Sequence, residues 1–271
     1  MQTKKEQLKF SEMGAGQPLV FISGLSVDKS IWDGVLSVIK NDFHIIYFDN
    51  KGVGDNSNFS SPLTTLDMAK NVIDLIKNLN LKKVNIVGHS LGSYVAQHVA
   101  AACPNIVENL ILISSRLKSS LITRLHYNVI SKLLRANVSR EILVEDSLSW
   151  LYGSTYLKNL QNSEKIIQEK LLSSPALSFQ NFLNQVQAAL NHDSSEISKK
   201  IKARTLLVNG DEDILCTAKE VALLARSITN SKLLILENVG HMIPVEAPDR
   251  LAKSLKNFCS TEDINEHNNF D

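Results

Sequence analysis

Six short apolar runs, Leu19 to Ser23, Phe43 to Asp49, Val84 to Gly88, Leu110 to Ser114, Thr205 to Gly210 and Lys232 to Glu237, alternate along the chain with longer stretches of helical periodicity. A short apolar run bounded by turn residues reads as a strand buried on both faces, as in a parallel sheet. Strand, helix, strand in repetition predicts an α/β fold with a mostly parallel central sheet flanked by helices. Between the second and third runs, Leu66, Ala69, Ile73, Ile76 and Leu79 fall at helical spacing, with Thr64 or Thr65 placed to cap the helix.

The alternation stops after Ser115 and returns at Thr205, and a last amphipathic pattern runs from Pro248 to Phe258. The chain therefore divides into a core made of residues 1–114 and 203–259, an inserted helical layer over 115–202, and a polar, acidic tail over 260–271 that is expected to fray. With 271 residues, 44% of them hydrophobic, such a core closes without disulfides or a structural metal. The three cysteines, Cys103, Cys216 and Cys259, are far apart, and His44, His98, His126, His192 and His267 have no partner spacing, so no metal and no cofactor is expected. A net charge of +1 argues against a dedicated nucleic-acid binder. The first residues lack an apolar signal region and no stretch approaches the roughly 18 apolar residues of a membrane helix, which predicts a cytoplasmic protein.

The run Val84 to Val87 leads into Gly88-His89-Ser90-Leu91-Gly92 and then a helical pattern from Ser93 to Ala102. Gly-x-Ser-x-Gly at a strand-to-helix junction is the pattern of a nucleophile elbow. The sharp turn strains the central residue, and glycines two positions either side let strand and helix approach without side-chain clashes. Ser90 would then present its hydroxyl at the sheet's edge, with the Leu91 N–H at a helix N-terminus pointing where an oxyanion would form. A base and an acid follow in the order that such an elbow requires. His241 stands in Val239-Gly240-His241-Met242 after the last apolar run, and Gly210-Asp211-Glu212-Asp213 offers three carboxylates after the fifth. His89, beside the serine, is expected to brace the elbow rather than act as base. A serine nucleophile excludes halide removal and epoxide opening, which need a carboxylate at that position in this kind of fold.

These motifs resemble the α/β-hydrolase superfamily from Leu8 to Phe258. Within it they are similar to the small carboxylesterases that include pimeloyl-carrier-protein methyl ester esterase and 3-oxoadipate enol-lactonase. Ile22-Ser23-Gly24-Leu25-Ser26 resembles the family's His-Gly loop, Tyr47 to Gly54 its Asp-x-Arg-Gly-x-Gly turn, and Gly240-His241 with Glu246-x-Pro248 its histidine loop. The resemblance implies an α/β-hydrolase fold, a second oxyanion N–H from Leu25, and Asp213 as the acid by its Gly-x-x-Asp spacing, with Asp211 the alternative. Some members place the acid one strand earlier, but here that position reads Ser114-Ser115-Arg116. Ser23 departs from the family, which has a loop-bracing histidine there.

The resemblance makes the insertion a cap over the pocket. Its Trp150, Tyr152, Tyr156, Phe179 and Phe182 suit an apolar acyl or alkyl chain, although packing within the cap accounts for most of them. From Arg116 to Arg140 there are six basic residues and no acidic one. On a helical projection Arg124, Lys132 and Arg135 share one arc, with Ile122, Leu125, Val129 and Leu133 opposite, which predicts either a solvated face or a docking surface for an acidic carrier protein. The expected activity is hydrolysis of a carboxylic ester, led by the methyl ester of a pimeloyl carrier protein, with small esters or enol-lactones behind it. A ligand-binding receptor built on the same fold is the alternative of another class.

Overall fold

The computed structural model describes residues 7–58, 62–159 and 178–260. Each of the six apolar runs forms a strand: β2 (Gln17–Ile22), β3 (Phe43–Phe48), β4 (Val84–His89), β5 (Val107–Ile113), β6 (Arg204–Gly210) and β7 (Ser231–Leu236). A three-residue strand, β1 (Ser11–Met13), precedes them and completes a seven-stranded sheet in the order β1-β3-β2-β4-β5-β6-β7. All pairings are parallel except that of β1 with β3. Sequence gave no warning of β1, because a short edge strand with a solvated face carries no apolar run.

The central strand β4 is buried along its whole length, as its run of valine and isoleucine requires. Helices α2 (Thr65–Asn78), α3 (Leu91–Ala102) and α8 (Ala218–Ser227) cover one face, contributing Met68, Val72, Val95, Val99, Val221 and Leu224 to the core. Helices α1 (Asp33–Ile39) and α9 (Pro248–Ser260) cover the other with Val35, Leu36, Leu251 and Leu255. The α2 start carries a capping box in which Thr64 and Asp67 each bond the other's backbone N–H. Its buried stripe runs through Thr65, Met68, Ala69, Val72, Leu75 and Ile76, so Leu66, expected inside, is 47% exposed. The last helix reaches Ser260, one residue into the expected tail, and residues 261–271 lie outside those described.

Between β5 and β6 the chain leaves the sheet and forms α4 (Leu121–Arg135), α5 (Arg140–Leu151), α6 (Ser154–Asn159) and α7 (Phe179–Leu190). The two chain crossings into and out of this layer are tied to each other by a Lys118–Asp193 bridge and a 2.9 Å bond from Ser194 N–H to Leu117 C=O. Three arrangements in the layer are set by tertiary packing. Leu121, Ile122, Leu125 and Val129 are 71%, 62%, 56% and 51% exposed, so the apolar arc of α4 points outward beside Lys132 and Arg135. Arg116, the first of the six basic residues, is 2% exposed; its guanidinium bonds Thr123 Oγ1, Glu220 and the Leu215 carbonyl. Arg124 is exposed and donates to Leu190 C=O at 2.7 Å, capping the end of α7. Among the described residues, no helix is long and apolar enough to cross a membrane.

Candidate active site

Ser90 ends β4 and begins α3 with φ 52° and ψ −119°. A side-chain-bearing residue held there costs about 1–3 kcal/mol, which the surrounding packing must supply. The flanking glycines explain how the turn closes. A β-carbon at Gly88 would stand 2.5 Å from the Gly92 carbonyl oxygen, and one at Gly92 would stand 2.5 Å from the Ser23 carbonyl oxygen. Both obstacles are backbone, so neither can move aside. Leu91 is the first residue of α3, and its N–H therefore has no acceptor within the helix. The Ser23 to Ser26 loop lies against the elbow: a β-carbon at Gly24 would be 3.4 Å from Ser90 Cβ. Leu25, between them, packs its side chain on the core.

The structure brings Ser90, His241 and Asp213 into one relay. His241 Nε2 is 3.0 Å from Ser90 Oγ, and His241 Nδ1 is 2.8 Å from Asp213 Oδ2. Because an ionised carboxylate only accepts, Nδ1 carries the proton and Nε2 is left to accept from the serine hydroxyl. The second Asp213 oxygen takes N–H bonds from Leu215 at 3.0 Å and Cys216 at 2.7 Å, which fix the carboxylate. Asp211 is exposed; its carboxylate accepts from Val239 N–H at 3.3 Å, at the backbone of the histidine loop rather than at the His241 ring. The choice left open among three carboxylates is thus decided by position: only Asp213 reaches the imidazole.

His241 is held as firmly through its backbone as through its ring. Its carbonyl accepts from His89 Nε2 at 2.9 Å and from Ser114 Oγ at 3.2 Å. Burial pushes the His89 pKa down to about 3, so His89 is a neutral brace, the role the sequence assigned it. Ser114, φ 50°, was not singled out in the sequence as a site residue, because its contact lies 127 residues away. Cys216 is buried, its thiol pushed up by burial and bonded to Ser115 C=O, which leaves it inert.

A clasp between the inserted layer and the histidine loop was also invisible in sequence. The Leu151 carbonyl, at the end of α5, accepts from both His241 N–H and Met242 N–H at 3.0 Å. The Glu246 carboxylate gathers N–H groups from Gly153, Gly240 and Met242 at 3.0, 2.8 and 3.0 Å. Burial raises its pKa against the pull of those donors. Glu212, next to Asp213, takes both the N–H and the hydroxyl of Thr155. Gly153 and Gly240 allow the close approach, since a β-carbon at Gly153 would stand 2.8 Å from Gly240 N. The Glu246-x-Pro248 motif was legible, but what the glutamate grips was not.

A model of the alpha/beta hydrolase fold matches residues 17–248. The chain is 23% identical over 257 residues to the (E)-2-((N-methylformamido)methylene)succinate hydrolase of Acinetobacter baylyi, covering 93% of this chain and 94% of that protein. It is 24% identical to the pyrrolizixenacetamide deacetylase of Xenorhabdus hominickii, covering 95% and 96%. The solved enol-lactonase of Burkholderia xenovorans superposes with a TM-score of 0.82 at 18% identity, over 94% of this chain and 96% of that one. These relatives and neighbours are hydrolases and esterases. With a seven-stranded sheet, a serine at the strand-to-helix elbow and a match over most of its length, the chain belongs to the alpha/beta hydrolase fold family.

Proposed function

We propose that this chain is a serine carboxylesterase in which Ser90 is the nucleophile, His241 the general base and acid, and Asp213 the group that holds the imidazole. The observation that carries the reading is the continuous relay of 3.0 and 2.8 Å contacts from Ser90 through His241 to Asp213. Ser90 Oγ attacks the ester carbonyl while its proton passes to His241 Nε2. The Leu25 and Leu91 N–H groups receive the charge that develops on the carbonyl oxygen. The C–O bond then breaks, the alkoxide takes the proton from His241 and leaves as alcohol, and Ser90 remains acylated. Water repeats the sequence on the acyl-enzyme, and the acid is released with Ser90 restored.

The test is rapid mixing with a nitrophenyl ester. A nitrophenolate burst equal to the enzyme concentration, with the acyl mass located on Ser90, is the expected result. No burst and no turnover would leave the family's fold serving as a ligand-binding receptor.

The finer reading is a carrier-linked substrate, the methyl ester of a pimeloyl carrier protein, ahead of small esters and enol-lactones. It is supported by the exposed Lys132 and Arg135, which stand beside outward-facing Leu121, Leu125 and Val129, a combination suited to an acidic partner with an apolar contact face. Cleavage of the carrier-linked methyl ester well ahead of the free methyl ester supports it. Equal rates on the two, or faster opening of an enol-lactone, would turn the assignment to the broader esterases.

A further inference from the structure

The Ser23 to Ser26 loop lacks the histidine brace that the resemblance leads one to expect, yet the loop is tied down at three points. Ser23 Oγ accepts from the buried Trp32 Nε1 at 3.0 Å, and the Ser23 carbonyl accepts from Asn50 Nδ2 at 2.7 Å. Both ties hold the loop's first residue. Its far end, Ser26, has φ 62°, a conformation costly for a residue with a side chain and therefore in need of an external hold. That hold comes from the cap: Ser26 N–H donates to Gln185 Oε1 at 2.8 Å across 159 residues of sequence.

Gln185 sits on α7, fully buried at 0% exposure, and its amide is used at both ends. While Oε1 accepts from Ser26, Nε2 donates to the Lys51 carbonyl at 2.9 Å, in the turn after β3. One helical turn earlier, Asn181 Nδ2 donates to the carbonyls of Gly52 and Ser57 at 3.2 and 3.0 Å. The buried polar stripe of α7 thus closes on two loops of the sheet. A buried amide that leaves neither loop unsatisfied fixes both, because breaking either bond strands a polar group away from water.

We propose that Gln185 is a positioning residue for the oxyanion hole: by holding the Ser26 N–H it fixes the Leu25–Ser26 peptide, and through the Leu25 Cα it sets the direction of the adjacent Leu25 N–H. The cap thereby supplies the brace that this chain's Ser23 does not. The inference rests on the proposed reading of Leu25 and Leu91 as the oxyanion donors. A displacement of the loop weakens the N–H contact most where charge is greatest, in the transition state, so kcat falls while KM holds.

The experiment compares an ester with its thionoester, in which sulfur replaces the carbonyl oxygen and accepts N–H bonds poorly. The intact protein is expected to prefer the oxygen ester strongly. In Gln185→Leu, kcat on the oxygen ester should fall by about tenfold or more, with KM within about twofold. The thionoester rate should change little, so the preference collapses. Gln185→Met, uncharged and of similar length, removes the same bond to Ser26 N–H, should show the same loss of preference, and serves if the leucine variant does not fold. If kcat falls but the oxygen-to-sulfur preference is unchanged, Gln185 is only structural and the inference is wrong. Should KM alone rise, Gln185 contacts substrate instead, which also overturns it. No turnover by the unsubstituted protein would remove the esterase reading itself, and this inference with it.

Discussion

The elbow and the cap are built on opposite principles. Around Ser90, strand and helix meet backbone against backbone, Gly88 and Gly92 leave no room for a single carbon, and almost nothing is solvent-exposed. The cap packs Ala188, Ala189, Leu151 and Tyr152 on the core and adds individual polar bonds: Leu151 C=O to the histidine loop, Glu246 and Glu212 to Gly153 and Thr155, and Gln185 to the Ser26 and Lys51 peptides. Helix α4 buries only Thr123 and leaves Leu121, Ile122, Leu125 and Val129 facing out. A close-packed junction has one arrangement, whereas the cap's hydrogen bonds fix single points: those at the partly exposed Thr155 can be exchanged for bonds to water at small net cost, and those of the buried Gln185 cannot. The nucleophile's geometry is therefore set by packing, and that of the loops around it by single bonds to the cap.

The largest effect should come from the relay itself. Ser90→Ala and His241→Ala should each lower kcat by about 10⁴-fold or more, and Asp213→Asn should approach that loss through the wrong tautomer, while Asp211→Asn changes it only a few-fold. Ser90→Gly should also be inactive yet melt higher than the parent protein, since glycine accepts φ 52° without strain. Substantial activity in purified Ser90→Ala would falsify the assigned nucleophile.

Adding one carbon to each region tests the contrast directly. Gly92→Ala drives a β-carbon into the Ser23 carbonyl and should destabilise the whole molecule by about 3 kcal/mol or more, or prevent folding. Gly153→Ala presses on Gly240 and Glu212, where the cap can shift away. That variant should lose less unfolding free energy in urea than Gly92→Ala, about 1–2 kcal/mol, and lose activity as His241 follows the displaced loop. Equal destabilisation by both changes would mean the cap is as close-packed as the elbow.

The pH dependence of stability should separate the regions next. His89 beneath the elbow and His192 at the seam between cap and core are both buried, and desolvation lowers each pKa to about 3 from 6.5. Each is neutral when folded and takes up a proton more readily when unfolded. Stability is thus fully present above the unfolded value and is lost as pH falls from 6.5 toward 3, by about 1.4 kcal/mol per pH unit per histidine. His192 stacks on Tyr94 at 4.4 Å, so His192→Phe retains the ring contact. Denaturation midpoints for that variant should fall less steeply than the parent's between pH 6 and 4, with His89, and His98 and His126 whose pKa values burial also lowers, still contributing. An unaltered slope would show that His192 opens to solvent with the cap.

The smallest effect belongs to the cap's outer face. Lys132→Glu with Arg135→Glu should leave hydrolysis of a free methyl ester and the melting temperature nearly unchanged, because both side chains are exposed. KM for a carrier-linked ester should rise several-fold at low salt and the difference should fade near 0.1 M, where screening acts over about 10 Å. Arg124 is left out of this pair because its bond to Leu190 C=O holds α7, and its loss would act through the cap's packing.

Short-range chemistry determined much of this protein in the sequence alone. The six strands, the break at Ser115, the elbow at Ser90 and the histidine at position 241 are each legible, because apolar runs, glycine spacing and turn chemistry act between near neighbours, although the edge strand β7, read as buried, leaves Lys232 and Leu233 exposed. What only the tertiary structure decided is long-range and polar. Asp213 rather than Asp211, the burial of Arg116, the outward turn of the α4 apolar arc and the grip of Gln185, Leu151 and Glu246 depend on which loops meet in space. A hydrogen bond needs one donor and one acceptor at a set distance and leaves no periodic mark on either segment, so nothing in the sequence around Gln185 points to a loop 159 residues away.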